Sequence, residues 1–292
     1  TWIVLTVVVI LTGTVFVGNH YVLKSIKLEG NVKAFNALNV VGQRLEAALI
    51  TVEVAVRNHL SDIRENLNNP DELYRITQMM LEDNPVVVGS AIAFRPNYFP
   101  EQGVWFSPYS YREADTIKTK QLGSAEYDYH KMDWYQTTDS LKHSYWSEPY
   151  FDKGGGEMLM TTYCYPLMDD NGNIIAVVTA DILLDYLTEF MDVEYFIHAY
   201  VCMISRKGMF ISQTEEGIEL EENSIKVAEE AGLYELMEVA QDMIDGKSGM
   251  KEWTSPTYGE SYIFFVPLQH MGWSIAIICE KYELFKNYNR AA

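Results

Sequence analysis

The chain opens on an apolar run, "TWIVLTVVVILTGTVFVG", with no Asp, Glu, Lys or Arg before Lys24. Eighteen or more such residues are enough to cross a bilayer as a helix. A signal peptide is the rival reading, but the run is long and lacks a clear small-x-small cleavage site. A retained membrane helix over residues 1–23 is therefore expected. Beyond it Leu28, Val32, Phe35, Leu38, Leu45, Leu49, Val52, Val56, Leu60, Ile63 and Leu67 recur at helical steps, close to a heptad spacing. The long helix this predicts ends at "NNPDE", where Pro70 opens a second helix to about residue 83, stopped by Asn84-Pro85. A rod of this kind is expected to form a stalk and a dimer seam, or to pack on its own domain. The two roles are compatible.

From residue 86 the period changes. "VVVGSAIAF" and "VWFSPYSYR" read as strands, and a loop-rich aromatic region follows to Tyr150. Residues 157–182 read as a hairpin around "DDNGN", with helix returning at "LLDYLTEFM". The second half repeats the plan: a hairpin at "RKG", an acidic amphipathic helix over 224–245, then strands "GMKEWTS", "ESYIFFVPLQ" and "GWSIAIICE". A weak internal repeat aligns Pro166 with Pro267, Gly172 with Gly272 and Asp181 with Glu280. The expected organisation is a membrane helix (1–23), stalk and second helix (24–85), ligand-binding module (86–190), second module (191–281) and the start of an exit helix (282–292). A first residue of Thr rather than Met suggests part of a longer polypeptide, with the exit helix leading back toward a second membrane segment.

Composition narrows the function. The chain has 292 residues, 48% of them hydrophobic, which allows two folded units. A net charge of −19 excludes a nucleic-acid partner, because phosphate binding needs clustered Lys and Arg. Eleven acids and one base, Lys226, between Glu215 and Asp245 read as a solvated helical face. Cys164, Cys202 and Cys279 are widely spaced and read as buried free thiols, and no metal or cofactor is implied. No GxSxG, HExxH, Walker loop or GxGxxG occurs, so the region is expected not to be an enzyme. "KGGGE" at 153–157 reads as a flexible hairpin loop, or a lid beside a pocket.

The candidate chemistry lies in "EYDYHKMDWY" (126–135), "YWSEPYFD" (145–152) and "TAD" (179–181). The first stretch fits neither helix nor strand period, and aromatic residues in irregular backbone usually line something. Rings and carboxylates together make a receptor for a cation, through cation–π attraction and charge-assisted hydrogen bonds. The plainer alternative is that the rings complete a core with their polar tips satisfied.

At these residues the sequence resembles the double-Cache sensor domains of bacterial transmembrane receptors. "DWY", "WSEPYFD", "PLMDDNG" and "VVTADI" are similar to the membrane-distal module of that family. The resemblance covers nearly the whole chain. It implies an α+β fold, in which a long N-terminal helix precedes two PAS-like antiparallel-sheet modules, one membrane-distal and one membrane-proximal. It also implies an inner-membrane receptor whose sensor region faces the periplasm. Amino-acid-sensing members carry a Tyr, an Arg five residues on, then Trp-Tyr, a later Tyr-x-Asp and a final Asp. Tyr127, Trp134, Tyr135, Tyr150, Asp152 and Asp181 fall at those positions, and Met132 stands where the arginine would be.

The resemblance implies that the rings line the pocket and the later acids hold an ammonium. Without a guanidinium at 132, an α-carboxylate loses its bidentate partner. Lys131 is a weak substitute, because adjacent side chains point apart, and Asp133 is a marginal third carboxylate. A small amine is therefore the favoured ligand, ahead of an uncharged metabolite, within a homodimer joined through the long helix. Two alternatives stay open: a ligand-free interaction module of the same fold, and a membrane-tethered hydrolase.

Overall fold

The computed structural model describes residues 2–153, 158–191, 199–213, 222–256 and 259–289. The Gly-rich stretch 154–157 lies outside the described residues, as does part of the acidic stretch from 214 to 221. Helix α1 runs unbroken from Trp2 to Glu65, a rod of about 95 Å at 1.5 Å per residue. Its apolar N-terminal part is exposed, and it is long and apolar enough to cross a membrane. Further along, the heptad stripe turns inward. Leu38, Leu45, Leu49, Val52, Val56 and Ile63 are fully buried against the rest of the chain, whereas Leu28 and Val32 face outward. Most of the stripe is therefore the helix's contact with its own domain. Helix α2 (Pro70–Asp83) starts on Pro70, with Asp71 and Glu72 in the first turn beside the positive end of the helix dipole.

The first sheet contains β1 (Gly89–Phe94), β2 (Pro108–Glu113) and β3 (Thr116–Gln121). Helix α3 (Asp133–Leu141) follows, then β4 (Tyr145–Trp146), β5 (Tyr150–Phe151), β6 (Leu159–Met168), β7 (Ile174–Leu183) and the short helix α4 (Leu184–Thr188). All its pairings are antiparallel, in the order β3-β2-β1-β7-β6-β4, with β5 also on β6. The second sheet contains β8 (Tyr200–Ile204) and β9 (Phe210–Gln213). It continues after helices α5 (Ser224–Glu230) and α6 (Tyr234–Ile244) with β10 (Gly249–Ser255), β11 (Gly259–Leu268) and β12 (Trp273–Glu280). Its order is β10-β11-β12-β8-β9. In each sheet the closing hairpin lies beside the first strand, and Gly172 and Gly272 occupy equivalent left-handed turn positions. The weak repeat thus marks two copies of one plan. Helix α7 (Lys281–Asn289) returns along α1, where Gly30 leaves room for Leu284 and Phe285.

Three elements differ from the sequence expectation. Strand β3 is a polar edge strand with no apolar alternation to reveal it. "EYDYHKMDWY" is not wholly irregular: a 3-10 turn over Tyr129–Lys131 leads into α3, whose buried stripe is Trp134, Tyr135 and Thr138. Only its first three residues fall in that stretch, too few to show a period. The expected acidic helix over 224–245 is two helices, because Gly232 adopts φ +70° between them.

One carboxylate ties the architecture together. Glu53, on α1 and only 4% exposed, accepts hydrogen bonds from Trp146 Nε1 at 3.1 Å and Arg57 at 2.8 Å. The same carboxylate meets His270 Nε2, in the β11–β12 turn, at 3.0 Å. Trp146 belongs to the first sheet and His270 to the second, and the Trp146 ring sits edge-on to Trp273. Glu53→Ala would leave the buried indole N–H without its acceptor. Urea denaturation should show a loss of about 1–3 kcal/mol, against less than about 0.5 kcal/mol for Arg44→Ala on the exposed face of the same helix. Equal small losses would remove Glu53 from this role.

Candidate ligand-binding site

Strand β1 alternates small residues with large ones. Ile92 and Phe94 enter the core shared with the helices, and Gly89, Ala91 and Ala93 face the other side of the sheet. That small-residue floor leaves space, and two buried carboxylates border it. Asp181 on β7 pairs with Gly89 and with Thr162 on β6, and is 4% exposed. Its Oδ1 accepts from Thr162 Oγ1 at 2.8 Å, and Thr162 Oγ1 lies 2.7 Å from Tyr150 Oη. With Asp181 ionised, the phenol donates to Thr162 and Thr162 donates to the carboxylate. Asp152, just past β5 and 5% exposed, accepts from Tyr127 Oη at 2.9 Å.

A third phenol joins them. Tyr109 on β2 is 2% exposed, and its hydroxyl has no hydrogen-bond partner among the described residues. A Cβ on Gly89 would collide with Asp181 Oδ2 and lie 2.8 Å from Tyr109 Oη, so only glycine fits between them. Lys120 Nζ sits 4.9 Å from the Tyr111 ring centroid, on which Tyr109 stacks.

The rings form the wall. Tyr129 Oη donates to Phe94 O at 2.8 Å and accepts from Phe106 N at 3.1 Å, which pins the segment before α3 onto the sheet. Trp105 Nε1 adds a bond to Asp128 at 3.0 Å. That indole, followed by Lys131, pulls the Asp128 carboxyl down to about 2. From this anchor Trp134 and Tyr135 are presented edge-on to each other, 5.9 Å apart. They cluster with Tyr129, Tyr145, Cys164, Ala93 and Val177, and Tyr127, Met132 and Tyr150 pack on the same cluster.

The structure therefore brings Tyr127, Met132, Trp134, Tyr135 and Tyr150 around one cluster, and bonds link Asp152 to Tyr127 and Asp181 to Tyr150. Lys131 is elsewhere: its Nζ pairs with Asp128 Oδ2 at 3.1 Å and the side chain is 79% exposed. Asp133 lies in the first turn of α3, 69% exposed and 3.9 Å from Lys207. Tyr109, Thr162 and Gly89 were not singled out by sequence. The tyrosines of "SPYSY" at i and i+2 share one strand face, which is the signal that points to Tyr109.

Lys120 Nζ lies 5.7 Å from the Tyr109 ring centroid, and no cation hydrogen-bonds Asp181 among the described residues. Burial, followed by the neighbouring Asp152, raises the Asp181 carboxyl from 3.8 to about 7, and the Thr162 bond offsets only part of this. Burial and the same two acids push the Tyr109 phenol upward too. The three cysteines are buried free thiols.

With this geometry in place, the relatives can be read. Residues 73–189 match the family model described as the first PDC sensor domain of methyl-accepting chemotaxis protein-like receptors. Over those residues the chain is similar to a PDC sensor domain. The fold extends the likeness over both sheets. The extracellular domain of a protein described as histidine kinase soHK1S-Z6 is 25% identical, with a TM-score of 0.66 over 91% of this chain and 99% of its own. That of mmHK1S-Z3 is 22% identical, with a TM-score of 0.73 over 91% of this chain and 98% of its own. The ligand-binding domain of the Campylobacter jejuni chemoreceptor Tlp3, solved with L-valine, is 13% identical with a TM-score of 0.62, over 89% of this chain and 96% of its own. A comparison with curated proteins found none that matches. The α+β double-Cache-type fold thus follows, and the family matched over residues 73–189 is one of sensor domains.

The raised Asp181 carboxyl sets a pH dependence for the ligand-free protein. The folded state keeps a proton that the unfolded chain releases near 3.8. Its stabilising contribution is complete below that value and is lost as pH rises through about 7. Thermal melts from pH 4 to 8 should show the native protein losing stability relative to Asp181→Asn over this window. Parallel curves would contradict it.

Proposed function

We propose that this chain is the extracytoplasmic sensor region of a single-chain membrane receptor, and that its distal module (86–190) binds a small primary amine. The observation that carries this reading is the buried pair Asp152 and Asp181, with Asp181 pushed up to about 7. A buried acid of this kind gains most from an incoming positive charge. An ammonium has three N–H donors. The two carboxylates accept two of them, and the unpartnered Tyr109 hydroxyl accepts the third. The amine's substituent would lie against Trp134 and Tyr127, where the rings favour a cationic neighbour.

Met132 argues against an amino acid. Tlp3 was solved with L-valine, but at Met132 this chain offers a thioether where the resemblance places a guanidinium. A carboxylate there would find no fork of donors and would sit near two acids.

Signalling follows from the connections. Asp152 lies six residues beyond Trp146, and Trp146 bonds Glu53 on α1. Ligand closing on Asp152 shifts β4 and β5, and Glu53 passes the shift to α1 and, through His270, to the proximal module (191–281). The exposed apolar residues Leu28, Val32, Val40, Ile50 and Val54 on α1 supply the face for a second copy. Residues 1–23 cross the inner membrane, and the output lies on the cytoplasmic side, as a kinase or chemotaxis module. A ligand must prefer one of the two resulting states to act.

A thermal-shift screen of primary amines, L-amino acids and organic acids tests the reading. Amines should raise the melting temperature, and Asp181→Asn should abolish the shift. Because binding expels the Asp181 proton, affinity should rise about tenfold per pH unit below about 7 and level off above it. Met132→Arg should move the preference toward amino acids. If amino acids stabilise the native protein as strongly as amines do, the amine assignment fails.

A further inference from the structure

The second sheet has two buried faces of unequal quality. Met203, Phe264, Ile275 and Ile277 are buried in the core shared with α1. The opposite face carries Tyr200, Cys202, Ile204, Trp253, Ile263, Ala276 and Ile278, alternating along their strands. Helices α5 and α6 cover that face with Val227, Leu236, Val239 and Met243, and between the layers a cavity of about 250 Å³ remains. The break at Gly232 splits this helical cover into two short pieces.

The lining is chemically distinct from the first site. No Lys, Arg, Asp, Glu or His borders the cavity among the described residues. Cys202 is one of its few polar groups, and burial pushes that thiol up to about 12, so it remains neutral. Tyr200 and Ser255 are already engaged by other groups. Ser224 is the exception. It lines the cavity, is 8% exposed, and its hydroxyl has no hydrogen-bond partner among the described residues. A buried hydroxyl without a partner is costly, as is an apolar void of this size.

One occupant relieves both penalties. We infer that the second module holds a separate site for a neutral, mainly apolar small molecule with one hydroxyl or carbonyl group, which bonds Ser224 Oγ. A cavity of about 150 Å³ accepts benzene in another protein. By that scaling, about ten non-hydrogen atoms fit here, the size of an alkylphenol or a branched aliphatic alcohol. The walls present no counter-charge, so the amine of the first site does not belong here. The ligand enters one layer from Ile275 and Ile277, the strand β12 residues that face α1, and so bears on the same helix as the first site.

The test uses 4-ethylphenol and ethylbenzene as probes, with Trp253 fluorescence and calorimetry on the whole chain. 4-Ethylphenol should bind saturably, one molecule per chain, and equally well to Asp181→Asn. Ser224→Ala should weaken 4-ethylphenol about two- to tenfold and leave ethylbenzene unchanged. Ala240→Leu, which fills the cavity, should abolish binding of both probes. A cooperative urea transition with the native slope reports that this variant is folded. No saturable binding to the native protein, or binding lost in Asp181→Asn and retained in Ala240→Leu, would overturn the inference. The failure of the amine screen leaves it standing, because the two sites share no residue.

Discussion

Helix α1 has to bury one face against two sheets at once, and this constraint governs the rest of the molecule. Both sheets share one core with the helices: Ile92, Phe94 and Val178 of the first and Phe264, Ile275 and Ile277 of the second belong to a single buried cluster that includes the inward face of α1. Close approach is won by small side chains, as at Gly42, where a Cβ would lie 3.1 Å from Leu268. Glu53 is the polar counterpart of that packing. A buried carboxylate is tolerated only with its acceptor sites filled, and its partners come from both modules and from α1 itself. Any relative movement of the modules has to rearrange those bonds, which is why the proposed signal is routed through the helix.

The same rule explains the site. Asp152 and Asp181 are as buried as Glu53, but the groups that meet Asp181 are a threonine hydroxyl and a second acid rather than an arginine. The protein bears this cost within a rigid sheet, on a floor of Gly89 and Ala91 where no side chain relieves it. Sites of that kind store a preference for a ligand of opposite charge. In the proposed amine site, Met132 would filter among cations by withholding the second recognition element.

Much of this was legible in the sequence. Apolar periods located α1, α2 and the two closing hairpins, and the family resemblance singled out residues from Tyr127 to Asp181 that lie close together in space. Signals carried by a few residues were not legible. Strand β3 is polar because both its faces meet solvent, and α3 has too few residues in the aromatic stretch to declare a period. Gly232 breaks a helix whose amphipathic pattern runs on through the break. Tyr109 and Thr162 reach the site only through strand pairing, which no local spacing reports. Glu53 is the instructive omission: an acid inside "ITVEVAV" sits on the apolar face of its helix, and a charge there implies buried partners.

The central claim is that an ammonium, with no carboxylate beside it, sits between Asp152 and Asp181. The most direct measurement is a crystal structure of the region with the amine that gives the largest thermal shift. The account predicts a nitrogen within hydrogen-bond distance of both carboxylates and of Tyr109 Oη, with the substituent against Trp134. An amine found elsewhere, or a bound amino acid with its carboxylate beside Met132, would contradict it.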